Sequence, residues 1–197
     1  MNINVFIHKT ADVSKDAKVG AGTKIWNQAQ VREKATIGKD CIIGKSSYID
    51  MNVIIGNNVK IQNFASVYDG VVLENNVFVG PSVTFTNDLY PRANSTSREW
   101  SKTLVKVGAS IAAGAIIVCE NTLGKHCMVG AGSVITKSIP DYGLAYGNPA
   151  KLKGFVCECG RKLSEIIKRN NLDVLYKCSS CNKEIKIPVE DFRKIVQ

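Results

Sequence analysis

Four of the seven cysteines stand in two close pairs that are eighteen residues apart: Cys157 with Cys159, and Cys178 with Cys181. Gly160 and Asn182 follow the pairs, and both residue types tolerate the left-handed backbone of a tight turn. Four thiolates at this spacing favour a zinc ion, although the first pair has one intervening residue where two are usual. A shell of four thiolates leaves no open coordination position, so the predicted zinc is structural.

Disulfides are the alternative use of these cysteines. The N-terminal Met-Asn-Ile-Asn-Val lacks the charged and apolar pattern of an export signal, which predicts a cytoplasmic location. Disulfides are rare in the cytoplasm, and zinc is therefore favoured. The other three cysteines, Cys41, Cys119 and Cys127, fall within a sequence repeat and are expected to be ordinary residues of that repeat.

The element that must position any site is a repeat of six residues. An aliphatic side chain recurs at every sixth position from Ile7 to Val79, and a small or β-branched side chain follows four residues after each, from Ala11 to Val83. Neither an α-helix nor an alternating strand has this period. A parallel β-helix does, because each hexad forms a short strand and a turn, and stacked hexads bury one continuous core. Residues 1–6 are expected to form an edge strand or cap over the open end.

The repeat is interrupted once. It stops at Phe85 and resumes at Val105, continuing to Ile135, so a loop of about residues 85–104 is expected to protrude from the β-helix. Loops that leave a regular scaffold often carry function. About twenty hexads at three per turn predict six to seven coils. No hexads occur after residue 153, so we expect a β-helix domain at 1–153 and a second small domain at 154–197.

The hexads together with their ending resemble the hexapeptide-repeat acyltransferases. The ending is the segment from Gly147 to Lys151, Gly-Asn-Pro-Ala-Lys, which is similar to the Gly-x-Pro-Ala-Lys/Arg segment of the coenzyme-A-dependent members. The resemblance implies a left-handed coil, a homotrimer, and acetyl-coenzyme A bound in a groove between subunits. The coenzyme-binding residues it implies are Gly130, Asn148, Pro149 and Lys151. A plain turn off the β-helix is the alternative interpretation of the segment. The second domain resembles a zinc ribbon.

The chain departs from this family in its histidines. The family commonly carries a catalytic histidine in or near the protruding loop, whereas His8 and His126 both lie outside it. A hydroxyl acceptor needs a general base, worth about 10²- to 10⁴-fold in rate. A neutral amine attacks a thioester unaided and needs mainly placement and an oxyanion donor. The missing histidine therefore favours an amine acceptor.

Several shorter motifs resemble one group of nucleotide-sugar 3-N-acetyltransferases over roughly residues 5–155. They include Lys60-Ile61-Gln62-Asn63, Ser66-Val67-Tyr68-Asp69, Gly80-Pro81-Ser82, Phe85-Thr86-Asn87 and Pro91-Arg92. The resemblance implies that the substrate is UDP-2-acetamido-3-amino-2,3-dideoxyglucuronate, used in the biosynthesis of surface polysaccharide such as lipopolysaccharide. It also implies that Asn87 accepts a hydrogen bond from the acceptor amine.

The remaining site residues are candidates by position. Glu74 is the candidate proton acceptor, with an ordinary solvated turn carboxylate as the alternative. Arg92 is the candidate partner of the sugar carboxylate or pyrophosphate. Gln62, Asn63 and Tyr68 are candidates for holding the nucleotide sugar, and the alternative is that they only decorate the coil turns.

Other functions fit less well. A dTDP-3-amino-3,6-dideoxyhexose is the alternative acceptor, and a non-catalytic β-helix scaffold is the alternative from a different class. The net charge of +9 comes from scattered lysines and arginines without a nucleic-acid-binding motif, so no nucleic-acid partner is expected. No stretch approaches the roughly 20 apolar residues of a membrane helix, so no membrane insertion is expected.

Overall fold

The computed structural model describes residues 4–94 and 100–195 and contains a parallel β-solenoid with three faces. Face 1 contains Phe6–Ile7 (β1), Lys24–Ile25 (β4), Ile42–Ile43 (β7), Lys60–Ile61 (β10), Phe78–Val79 (β13), Ser110–Ile111 (β16) and Met128–Val129 (β19). Face 2 contains Asp12–Val13 (β2), Gln30–Val31 (β5), Tyr48–Ile49 (β8), Ser66–Val67 (β11), Thr84–Phe85 (β14), Ile116–Ile117 (β17) and Val134–Ile135 (β20). Face 3 contains Lys18–Val19 (β3), Thr36–Ile37 (β6), Ile54–Ile55 (β9), Val71–Leu73 (β12), Thr103–Val105 (β15) and Thr122–Leu123 (β18).

Every strand of a face pairs in parallel with the strand one coil away, as in Lys60↔Phe78 and Ser66↔Thr84. The predicted parallel β-helix is therefore confirmed, whereas its left hand stays a prediction. We name the turns by the faces they join: corner 1–2, corner 2–3 and corner 3–1. Successive coils stack at about 4.8 Å, the usual spacing of paired strands.

The core is a column of the two repeating residue classes. Aliphatic positions such as Ile25, Ile43 and Ile61 are fully buried, and so are small positions such as Ala29 and Ala65. The six-residue period explains this, because it places one aliphatic and one small side chain inside each face. Phe85, at the last aliphatic position before the loop, is also fully buried.

The corners are too tight for ordinary side chains at some positions. A Cβ added to Gly38 would lie 2.5 Å from the backbone oxygen of Gly56, one coil away. Asparagine side chains also join coils at the corners: Asn57 Oδ1 accepts a hydrogen bond from Lys39 N (2.8 Å), and Asn75 Oδ1 accepts one from Asn57 N (2.7 Å). These bonds satisfy backbone groups that the turns would otherwise leave unpaired.

The expected N-terminal cap is not present in residues 4–6, and residues 1–3 lie outside the described part of the chain. Phe6 begins the edge strand of face 1, as expected, but Ile7 is 46% exposed and Val13 and Val19 are only half-buried. The strands of the first coil form without a cap, because each of them pairs with a strand of the second coil.

The chain leaves the solenoid through a hairpin of Gly143–Gly147 (β21) and Ala150–Phe155 (β22), where β21 continues face 1. The remainder forms an antiparallel sheet of Glu165–Arg169 (β23), Asp173–Lys177 (β24) and Glu184–Pro188 (β25), followed by the short helix Val189–Arg193 (α1). We call residues 156–195 the C-terminal module. None of the helices in the described ranges is long and apolar enough to cross a membrane.

The C-terminal module has its own apolar cluster, which includes Val174, Tyr176, Ile185 and Ile187 and is joined by Phe155 at the end of β22. Leu152 contacts both this cluster and the solenoid core. The backbone joins the two parts as well, because Val156 N donates a hydrogen bond to Tyr142 O (2.8 Å). The predicted domain boundary after residue 153 therefore falls inside β22, which belongs to both parts.

Candidate active site

The site residues expected from the sequence lie at three different corners of one chain. Tyr68 follows β11 and Asn87 follows β14, so both lie at corner 2–3 in neighbouring coils. Gln62 and Asn63 lie at corner 1–2, and Glu74 lies at corner 3–1. A face is one hexad long, roughly 20 Å at full extension. Corner 2–3 therefore brings together Tyr68, Asn87 and the protruding loop, but not the other three.

The base of the loop holds the backbone of Asn87 in place. Thr86 Oγ1 accepts a hydrogen bond from Cys119 N (3.1 Å), and Asn87 O accepts one from Ser101 N (2.9 Å) where the loop returns. Asn87 is half-buried, and its side-chain amide makes no hydrogen bond with any residue of the described ranges. The amide is thus positioned by its backbone and available to a ligand.

Arg92 lies farther out in the loop and is exposed. Its Nη1 donates a hydrogen bond to the carbonyl oxygen of Pro91 (2.8 Å). This is a local bond at the surface, which an anionic ligand could replace.

Tyr68 is supported by residues that the sequence patterns did not single out. Its ring packs against that of Tyr48 with 5.5 Å between centroids. Tyr48 Oη donates to Asp50 Oδ1 (2.9 Å) and accepts a hydrogen bond from Arg32 Nη1 (3.3 Å). Burial and the hydrogen bond to Asp50 raise the pKa of Tyr48, so its hydroxyl remains a donor. Tyr68 therefore rests on an ordered polar network at corner 2–3.

Asn63 and Gln62 contribute to the stacking of coils at corner 1–2. Asn63 Oδ1 accepts a hydrogen bond from Lys45 N (2.9 Å) in the preceding coil, just as Asn57 and Asn75 accept backbone hydrogen bonds at corner 3–1. The backbone oxygen of Gln62 accepts a hydrogen bond from Ser47 Oγ (2.9 Å). This bond fits the alternative expected from the sequence, a turn residue, while contact of Asn63 with the nucleotide sugar stays a prediction.

Glu74 also has a bonding partner within the chain. Its Oε2 accepts a hydrogen bond from Val107 N (2.8 Å), which ties the coil before the loop to the coil after it. Another carboxylate, Glu120, lies at corner 2–3 in the coil next to Asn87, and it accepts a hydrogen bond from Ser101 Oγ (2.9 Å). Sequence reasoning missed Glu120, although its distance from the aliphatic Ile117 places it at the same corner as the loop.

A cleft of about 650 Å³ opens at the end of the solenoid, beside the Gly147–Lys151 segment. Its lining includes Pro149 and four lysines from three parts of the chain: Lys137, Lys151, Lys153 and Lys194. No carboxylate is among the described residues that line it. The cleft is thus a concentrated positive site, suited to an anionic ligand.

The other two expected coenzyme-binding residues, Asn148 and Gly130, are not among the residues that line this cleft. Asn148 precedes Pro149 through a cis peptide bond at the tip of the β21–β22 hairpin. Gly130 lies at corner 1–2, where a Cβ would be 2.7 Å from Cβ of Tyr146. Gly130 therefore permits the close approach of the hairpin to the last coils.

The four paired cysteines converge as their spacing predicts. The sulfur atoms of Cys157, Cys159, Cys178 and Cys181 all lie within 4.8 Å of one another. Cys157 Sγ is 3.5 Å from Cys181 Sγ, and Cys159 Sγ is 3.6 Å from Cys178 Sγ. A tetrahedral zinc with bonds of about 2.3 Å requires sulfur atoms about 3.8 Å apart, so this cluster fits the ion.

Each cysteine pair sits in a turn closed by a left-handed residue. Gly160 (φ 85°) donates its N–H to Cys157 O, and Asn182 (φ 59°) donates its N–H to Cys178 O. Backbone N–H groups of Cys181 and Ser180 lower the pKa of the Cys178 thiol to about 6. This lowering favours the thiolate of Cys178, the form in which cysteine binds metal.

Both histidines lie away from corner 2–3. His8 lies at corner 1–2 of the first coil, where its Nδ1 is 3.0 Å from Thr10 Oγ1. His126 lies at corner 3–1 and is half-buried, with its ring stacked on Tyr142 at 5.5 Å between centroids. The stacking occurs because the turn residue Tyr142 passes directly over the histidine.

Replacing His126 with Ala is expected to leave kcat/KM and its pH profile unchanged within roughly twofold, because the imidazole stacks on Tyr142 at corner 3–1, whereas Asn87 lies at corner 2–3. Initial rates between about pH 6 and 9 check this, with His8→Ala as the matched variant. Loss of one limb of the profile in His126→Ala alone would make the imidazole a general base.

Comparison with known families gives matches within the solenoid. The profile described as "Bacterial transferase hexapeptide (six repeats)" matches residues 16–50 and 52–87. The profile described as "Hexapeptide repeat of succinyl-transferase" matches residues 121–140.

Two curated proteins are similar over parts of their length. A dTDP-3-amino-3,6-dideoxy-alpha-D-galactopyranose 3-N-acetyltransferase of Aneurinibacillus thermoaerophilus is 58% identical over 67 residues, 34% of this chain and 35% of that protein. A galactoside O-acetyltransferase of Lactococcus lactis is 29% identical over 107 residues, 52% of each protein. The aligned part of the chain thus spans between a third and half the length of these relatives.

Two solved structures share the fold. A UDP-N-acetylglucosamine acyltransferase of Bacteroides fragilis has a TM-score of 0.64 at 19% identity, covering 77% of this chain and 61% of that one. A variant GDP-perosamine N-acetyltransferase of Caulobacter crescentus, in complex with CoA and GDP-perosamine, has a TM-score of 0.52 at 24% identity, covering 78% and 58%. At these identities the likeness concerns the fold alone.

Proposed function

Because this chain belongs to the hexapeptide-repeat transferase family, we propose that it transfers an acetyl group from acetyl-coenzyme A to the 3-amino group of a nucleotide-linked amino sugar. The observation that carries this proposal is the position of Asn87 at the base of the loop, where its amide bonds to none of the described residues, while both histidines lie at other corners of the chain. The 58% identity with a 3-N-acetyltransferase supports the same acceptor group.

The proposed reaction needs placement more than acid–base chemistry. The side-chain oxygen of Asn87 accepts a hydrogen bond from the neutral amine and directs its lone pair at the thioester carbonyl carbon. The C–N bond forms as the C–S bond breaks, and the proton lost from nitrogen ends on the departing thiol of coenzyme A. The products are an amide and free coenzyme A.

The coenzyme is proposed to lie along corner 2–3. Lys137 of the positive cleft is at this corner, two coils beyond Asn87. Two coils rise about 10 Å, so an extended coenzyme can place its phosphates in the cleft and its thioester near Asn87. Pro149 and Lys151, the expected coenzyme residues, line the same cleft.

The first proposed acceptor is a dTDP-3-amino-3,6-dideoxyhexose, which the 58% identical relative supports. The second is UDP-2-acetamido-3-amino-2,3-dideoxyglucuronate, which the sequence motifs favour. Arg92 distinguishes them, since an exposed guanidinium in the loop suits a sugar carboxylate, which only the UDP sugar has.

Release of free coenzyme A thiol with a panel of nucleotide amino sugars tests the proposal. Turnover is expected with 3-amino sugars. Arg92→Ala is expected to raise KM for the glucuronate and to leave KM for the deoxyhexose unchanged. An enzyme that accepts 4-amino but not 3-amino sugars would contradict the proposed acceptor position.

A homotrimer is the proposed assembly, because the resemblance to the hexapeptide-repeat acyltransferases implies a coenzyme groove shared between subunits. A shared groove of this kind closes into a ring under three-fold rotation. Light scattering of dilute protein is expected to give about three times 21.4 kDa. A monomer with full activity would contradict the shared groove.

The four cysteines are proposed to hold one structural zinc ion per chain, because their sulfur atoms match a tetrahedral site. With all four positions filled by sulfur, the ion supplies folding free energy to the zinc-ribbon-like module and takes no part in acetyl transfer.

A further inference from the structure

The positive cleft is built from two parts of the chain. One wall comes from the last coil and the β21–β22 hairpin and carries Lys137, Lys151 and Lys153. The opposite wall includes Lys194 and Ile195, which follow helix α1 of the C-terminal module. The module thus adds a fourth ammonium group to a site that the solenoid begins.

We propose that the C-terminal module is a functional wall of the coenzyme cleft, in which Lys194 binds the phosphates at the nucleotide end of coenzyme A. This inference rests on the proposed acetyltransferase function. It assigns the module a direct role in ligand binding, through a residue outside the hexapeptide repeats.

The position of Lys194 depends on the fold of the module. Val189, Phe192 and Ile195 pack against its apolar cluster, and the Arg169 guanidinium lies 4.9 Å from the centre of the Phe192 ring. Val189 N also donates a hydrogen bond to Leu172 O (2.8 Å). Lys194 is therefore held at the cleft by the same packing that holds the module together.

The charges around the cleft favour an anion. Lys194 Nζ pairs with Asp191 Oδ1, and 57% of the lysine side chain is accessible against 16% of the aspartate side chain. The ammonium group has three donors, so it can bind a phosphate while it keeps this pair. Lys194 also lines a neighbouring cleft of about 440 Å³ on the other side of Pro140, whose lining includes the carboxylates of Asp141 and Asp191 as well as lysines. That mixed charge makes it a poorer anion site. The phosphates are therefore assigned to the positive cleft, where the charged lining residues in the described ranges are all lysines.

Calorimetric titration of the full-length protein with coenzyme A tests the proposal. Lys194→Ala is expected to raise Kd about three- to tenfold, and Lys194→Glu by more than tenfold, since it also introduces a like charge. Lys168→Glu is the matched control, because Lys168 is an exposed lysine on β23 of the same module that does not line the cleft. It makes the same change in net charge and is expected to leave Kd unchanged.

Smaller probes identify the phosphate source. Adenosine 3′,5′-bisphosphate is expected to show the same loss of affinity in Lys194→Glu, whereas dTDP and UDP bind both proteins equally. Loss of dTDP or UDP binding instead would assign the cleft to the nucleotide sugar and overturn the inference. Unchanged coenzyme affinity in Lys194→Glu would overturn it too. A wild-type protein that binds no coenzyme A would contradict the proposed function itself, and this inference with it.

Discussion

Replacing Asn87 with Ala is expected to lower kcat by about 30- to 1,000-fold, with a much smaller rise in KM. The reason is that one lost positioning hydrogen bond at the reacting atom corresponds to ~2–4 kcal/mol in the transition state. Ground-state binding of the sugar uses contacts elsewhere and is largely kept. Steady-state rates with saturating acetyl-coenzyme A measure both parameters.

Asn94→Ala is the matched control for this variant, since Asn94 is an exposed asparagine in the same loop. It is expected to retain wild-type kcat. If Asn87→Ala leaves kcat nearly unchanged while His126→Ala abolishes turnover, direct attack by the neutral substrate amine oriented by Asn87 is wrong.

Replacing Cys178 with Ser is expected to remove about one equivalent of zinc per chain and to unfold the C-terminal module while the solenoid stays folded. Zinc binding is worth roughly 10–16 kcal/mol in small zinc-finger peptides, more than a small apolar cluster supplies. The solenoid has its own buried column of aliphatic side chains, which does not depend on the metal. Elemental analysis measures the metal, and limited proteolysis locates the unfolded part.

Ser179→Ala provides the control, because Ser179 is exposed within the same turn and offers no metal ligand. It is expected to keep both the zinc and the protease resistance. Unchanged zinc content in Cys178→Ser would refute the assignment of the four cysteines.

The hexads predicted the solenoid because a six-residue period leaves few alternatives for burying aliphatic side chains. The same period was enough to predict that Glu74 and Asn87 lie at different corners. A given corner recurs every eighteen residues, whereas Leu73 and Phe85, which end strands of different faces, are not a multiple of eighteen apart. Asn63 was ambiguous because an asparagine suits both a turn ladder and a ligand. The hydrogen bond from Lys45 N, which joins Asn63 to the preceding coil, could be seen only in the structure.

The cysteine turns were predictable from spacing and from Gly160 and Asn182, because a local turn is encoded by adjacent residues. Lys194 was not predictable. It reaches the cleft through the packing of Phe192 and Ile195, contacts between segments far apart in the chain that carry no repeat. Likewise, the Tyr48 network beneath Tyr68 depends on coil stacking that brings Arg32 and Asp50 together.

The most direct test of the proposed amine acylation compares two acceptors that differ in one atom group: dTDP-3-amino-3,6-dideoxygalactose and the corresponding sugar with a 3-hydroxyl. With acetyl-coenzyme A, the amino sugar is expected to release thiol and gain the mass of one acetyl group, with a rate that rises with pH and levels off as the amine loses its proton. The hydroxyl sugar is expected to be inert. Acetylation of the hydroxyl sugar with no reaction of the amino sugar would contradict the account.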